Sequence, residues 1–167
     1  MNSQYLTRVL PHVACLLACS IVNLFYFRPT TIFPDEQRYL ASAVRLAASG
    51  EFWVGGDRAW EMPGAAAFYA AAIRLFGADM AIMPIRFAQS ILLAVQCGLI
   101  AFIAQRIFGK ITVAFVAACM AALYPFFLFY QGLLMSETLF ITLMLGGIAA
   151  LYWWRERRSR IDASLVV

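Results

Sequence analysis

An all-helical integral membrane fold is the class this sequence predicts, and three observations carry it. Hydrophobic residues make up 63% of the chain and charged residues 13%, against roughly 45–50% and 25% in soluble domains. The mean hydropathy is +0.78. The apolar residues gather into four runs close to the ~20 residues that a helix needs to cross hydrocarbon, and nine of the thirteen lysines and arginines lie at the ends of those runs.

The first run, residues 9–27, is interrupted only by Pro11, His12, Ser20 and Asn23 and reads as a span. Residues 28–83 then change character, holding six of the chain's nine acidic residues among Arg, Trp, Pro and Gly, and read as a long external loop. Three more spans are expected at 84–105, 111–130 and 133–154. Four spans return both termini to one side. The basic connection Arg106–Lys110, and Arg155, Arg157, Arg158 and Arg160 directly after Trp153 and Trp154, mark that side as cytoplasmic under the positive-inside and aromatic-belt rules. Residues 28–83 therefore face outward, and 155–167 form a cytoplasmic tail.

Cations placed at helix ends, and not spread over one surface, argue against a nucleic-acid partner. Cys15, Cys19, Cys97 and Cys119 lie inside apolar runs with no ligand spacing to His12, so they read as small packing residues. Leu16–Cys19 has the look of a lipoprotein cleavage box, but the chain stays apolar through Phe27, so an uncleaved anchor is expected.

Two helices are expected within the loop. In 36–49, Leu40, Ala43, Val44 and Ala47 recur at helical spacing, with Arg38, Ser42, Arg45 and Ser49 on the polar face. Asp35 is positioned to cap the start, and Gly50 to end it. Such an amphipathic helix lies along a membrane surface. The stretch 63–76 begins at Pro63, runs through an alanine-rich segment and stops before Gly77. It is too short to span.

Three acids stand where chemistry is accessible. Asp35 and Glu36 sit together just past the first membrane boundary, and Glu137 interrupts two apolar runs at the same external face. An ionisable residue there is costly unless it meets water or a partner. The plainer reading makes Asp35 a cap and Glu36 a group favoured by the helix dipole, with Ser136 capping the last span. The chemical reading makes them carboxylates sharing one substrate. Arg38, Arg58, Arg74 and Arg86 surround that face, and guanidinium suits bidentate phosphate contact. Trp53, Trp60 and Tyr69 supply faces for a sugar or a prenyl chain, or else anchor at the interface. The spans show no buried acid or base of the kind that marks an ion path, which disfavours a transporter.

The segments Pro34–Tyr39, Leu46–Gly50, Pro63–Gly64, Arg74–Gly77, Arg106–Gly109, Ala122–Pro125 and Ser136–Phe140, in that order, resemble the GT-C glycosyltransferases, especially the dolichyl-phosphate-mannose protein mannosyltransferase and aminoarabinose transferase superfamily. The likeness covers about residues 30–152. It implies inverting transfer of a sugar from a polyprenyl-phosphate donor to an extracytoplasmic glycan, lipid or protein, in the inner (plasma) membrane. Asp35 would match the family's catalytic carboxylate, Glu36 its neighbour and Glu137 the second acidic position. Arg38, Tyr39, Arg58, Trp60, Arg74 and Arg86 would face substrate. The likeness makes no cofactor certain beyond the polyprenyl-phosphate sugar as donor substrate; a divalent metal is compatible with the chemistry, and its ligands are not legible. Family members carry more spans, so the chain is expected to be an N-terminal portion, completed by a C-terminal portion or a partner subunit. Where this chain has Glu61-Met62-Pro63-Gly64, the family often shows a richer proline segment. The rival reading is a non-catalytic membrane protein that binds the lipid carrier or a partner subunit.

Overall fold

A computed structural model describes residues 30–52 and 62–164, with side chains as far as Arg158. The expected span at 9–27, together with His12, Cys15, Cys19, Trp53, Arg58, Trp60 and Glu61, lies outside the described residues. Among those described the chain is entirely helical. Its six helices are α1 (Pro34–Ser49), α2 (Pro63–Phe76), α3 (Ile82–Phe108), α4 (Ile111–Ala122), α5 (Pro125–Gln131) and α6 (Glu137–Ser164).

Helix α3 is the spine. Its 27 residues rise about 40 Å, more than the ~30 Å of hydrocarbon in a bilayer. It packs against α4 and α6 along its length, and α2 and α5 touch it more briefly. Gly109, at φ 67°, ends α3 in the left-handed region, where a glycine pays no Cβ penalty. That sharp reversal sets α4 back against its neighbour.

By length and apolarity, α3 and the stretch Glu137–Arg158 of α6 are each able to cross a membrane. The expected span at 111–130 is broken. Helices α4 and α5 meet at a 54° bend, because Pro125 has no N–H to donate and its ring collides with the carbonyl one turn back. If the bent pair is one span, the described residues hold three.

The helix expected from Leu133 begins at Glu137 and runs on to Ser164, past the anticipated end at Trp154. Residues 132–136 are irregular, for a reason that lies in the side chains around them. Outward, α6 presents Phe140, Leu143, Met144, Leu151 and Trp154. In hydrocarbon such a surface carries no penalty, since lipid tails are as apolar as leucine.

Helices α1 and α2 pack on each other. Their shared core joins Ala43 with Ala65, Tyr69, Ala70 and Ile73, and it continues into Ala81, Ile82, Ile85 and Leu134. Ala65 and Ala70, both in that core, keep the α2 side of the contact small. Helix α2 has the expected bounds, whereas α1 differs from expectation in two respects. It starts at Pro34 with Phe33 as its cap residue, so Asp35 falls inside the first turn and does not cap. Its inward face is also rotated: Ser42, expected outside, is buried, and Val44, expected inside, is 37% exposed. Glu36 is drawn fully inward, and the face turns with it. A second apolar cluster, Leu93, Ala94 and Cys97 against Ala121 and Ala122, fills the α3–α4 contact. Cys97 and Cys119 are both free thiols.

Candidate functional site

Adjacent acids on a helix point about 100° apart, and here that separates surface from core. Asp35 is 55% exposed and paired with Arg38 at 2.5 Å, one turn along. Glu36 is completely buried. Its Oε2 accepts the backbone N–H groups of Ile32 at 2.7 Å and Phe33 at 3.0 Å, reaching back over the helix start as the second half of a capping box does. Its Oε1 accepts the N–H of Leu134 at 2.9 Å and faces the Arg86 guanidinium at 3.4 Å.

Arg86, on the second turn of α3, is equally buried and also donates to the carbonyl of Thr30 at 3.2 Å. It is a buried ionisable group in an apolar helix, contrary to the expectation that the spans hold none. The pair is tolerable because each partner neutralises the other and hydrogen bonds occupy both carboxylate oxygens.

Three more side chains hold the irregular segment 132–136. Gln89, one turn past Arg86, donates from Nε2 to the carbonyl of Leu133 at 2.8 Å and to the Tyr69 hydroxyl at 3.2 Å. Tyr69 in turn donates to the carbonyl of Met135 at 2.6 Å. Tyr39 donates to the Ser136 hydroxyl at 3.1 Å. Buried backbone must find partners somewhere. Glu36 satisfies the N–H of Leu134, and Gln89 and Tyr69 satisfy the carbonyls of Leu133 and Met135, so these three groups need no partner one α-helical turn away. Burial, followed by the negative fields of Tyr39, Glu137 and Glu36, pushes the Tyr69 phenol well above its usual pKa. It therefore stays a neutral donor.

Together Glu36, Arg86, Gln89, Tyr69 and Tyr39 form a clamp around residues 132–136, and it delivers Glu137 at the first residue of α6, where the helix dipole favours a carboxylate. Its Oε2 is buried without a hydrogen-bond partner among the described residues, as is Oε1 of Gln89. Asp35 and Glu137 flank contacting pairs, 36 with 134 and 39 with 136, so both lie at one end of the bundle.

Of the six residues expected to face substrate, Arg38 lies beside Asp35, and Arg86 and Tyr39 are inside the clamp. Arg74 donates to the carbonyls of Leu46 and Ala47, closing the last turn of α1. Arg58 and Trp60 are among the residues not described. Among those described, no group of three or more His, Cys, Asp or Glu side chains comes together as a metal site.

The chain matches no family model, no curated protein and no solved structure.

Sequence reasoning missed Gln89, Ser90 and Gln96, which carry the polar seam of α3. Ser90 donates to Gln131 at 2.8 Å, and Gln96 to the Thr138 carbonyl and the Thr142 hydroxyl, both at 2.8 Å. The available signal was their spacing. Arg86, Gln89 or Ser90, and Gln96 recur on one face of an apolar helix, where polar groups persist only with partners.

Proposed function

We propose that this chain is a four-span membrane segment equivalent to the N-terminal part of a GT-C glycosyltransferase, acting on a sugar carried by polyprenyl phosphate. The Asp35 end of the bundle faces outward, and both termini lie on the cytoplasmic side of an inner membrane. A single observation supports the assignment of the base: Glu36 has both carboxylate oxygens committed to the fold, while its neighbour Asp35 stands at the surface. Glu36 is the group that holds the helix start in place, and Asp35 is the group that meets substrate.

In this reading the Asp35 carboxylate takes the proton of an acceptor hydroxyl as that oxygen attacks the anomeric carbon. The bond from that carbon to the phosphate oxygen breaks with inversion, and its electron pair leaves with polyprenyl phosphate. A phosphate needs little protonation to leave, so cations serve it better than a strong acid. Arg38, half exposed beside Asp35, is the described cation in position to face it. Glu137, with one carboxylate oxygen unpartnered, orients the acceptor or the sugar from across the clamp.

The test uses membranes lacking competing transferase, labelled polyprenyl-phosphate sugar and the full chain, with any partner portion supplied. Transfer should fall roughly 10²–10⁴-fold in Asp35→Asn, the range for loss of a general base, while donor binding remains. Transfer that survives the substitution overturns the catalytic reading and leaves carrier binding without turnover.

A further inference from the structure

The opposite end of the bundle carries a separate device. Glu156 lies nineteen residues beyond Glu137 on α6, about 29 Å along the axis. There it pairs with Arg106 from the last turn of α3. That pair fixes the two helix ends side by side. Around it, Lys110, Arg155, Arg157 and Arg158 are all exposed. Glu156 is the only acid among the described side chains of this end, so the local charge is strongly positive.

The arginines are not loose. The Arg157 guanidinium lies 4.2 Å over the Trp153 ring and that of Arg158 lies 5.7 Å from Trp154, each one helical turn along. Stacking uses the face of a guanidinium and leaves its N–H edge for an oxyanion. The two indoles are 51% and 57% exposed, next to exposed Leu151 and Ile148. Indoles so placed settle where hydrocarbon gives way to headgroups. Phosphate-binding edges are thus set at headgroup depth, above an apolar helix face.

We propose that this end of the α3–α6 pair binds the headgroup of an anionic glycerophospholipid in preference to a zwitterionic one. The occupant is a lipid and not a soluble phosphate, because the same residues offer aromatic and aliphatic surface directly beneath the cations. The inference stands apart from any transfer chemistry at the Asp35 end.

Tryptophan fluorescence tests it on the full chain in nanodiscs, with Trp53→Phe and Trp60→Phe so that only the indoles of α6 report. Brominated phosphatidylglycerol should quench them at about a tenfold lower mole fraction than brominated phosphatidylcholine, the scale expected from one to two arginines near an anionic surface. Arg157→Gln with Arg158→Gln should erase the difference and leave the melting temperature unchanged. Equal quenching by the two lipids overturns the proposal, as does a preference that survives the double substitution. A preference abolished by millimolar inorganic phosphate overturns the commitment to lipid.

Discussion

The carboxylate of Glu36 accepts the backbone N–H of Leu134 at 2.9 Å, joining residues 98 positions apart. The same carboxylate caps α1 and faces Arg86 of α3, so one side chain ties the helix carrying Asp35 to the segment that delivers Glu137. The geometry of the site therefore depends on a residue that does not reach its surface.

Glu36→Ala should cost about 3–5 kcal/mol, because it leaves the buried Arg86 charge and three backbone N–H groups without their acceptor. Thermal unfolding in detergent should show a fall on the order of 10 °C. Combining Glu36→Gln with Arg86→Met should recover part of that stability, since a buried pair is costly mainly when only one partner is removed.

Asp35→Asn should behave in the opposite way. A half-exposed ion pair contributes no more than about 1 kcal/mol, so the melting curve should stay close to that of the parent chain while sugar transfer is lost. A large drop in stability would instead mean that Asp35 is structural.

Tyr69→Phe removes the donor to Met135 and the acceptor of Gln89, at a cost of about 1–3 kcal/mol near neutral pH. Its pH dependence has a definite sign. The folded phenol ionises above its unfolded pKa of about 10, so the contribution is fully present below pH ~10 and is lost above it, as the unfolded chain gives up a proton that the folded chain keeps. Denaturation followed between pH 9 and 11 should show a steeper decline for the parent than for Tyr69→Phe. Parallel curves would contradict the burial of this hydroxyl.

Gln96→Leu should weaken the α3–α6 contact by only about 1 kcal/mol, because the Thr138 carbonyl still receives the Thr142 hydroxyl at 2.7 Å. Unfolding of the chain in mixed micelles measures it, and a loss above ~3 kcal/mol would give Gln96 a larger part than its two bonds explain.

Much of the helical layout is legible in the residue order. Pro63 and Gly77 bracket α2, Gly50 and Gly109 end α1 and α3, and the apolar run after Met83 is too long to be anything but a span or a buried helix. The site is legible only as a set of acids at one end. Asp35 and Glu36 are chemically alike, and both fit a helix start equally well. Nothing local shows that Glu36 turns in to meet Leu134 while Asp35 stays out, nor that Ser42 is buried and Val44 is not.

Composition and periodicity by themselves determined that the chain is helical and has segments able to cross a membrane, because the solvent preference of twenty consecutive apolar residues is a property of those residues alone. Tertiary structure decided which acid is buried, why residues 132–136 leave the helix and where Glu137 is presented. Those outcomes depend on hydrogen bonds among residues roughly 40 to 100 positions apart, and a buried polar atom takes whichever partner the packed helices bring within about 3 Å.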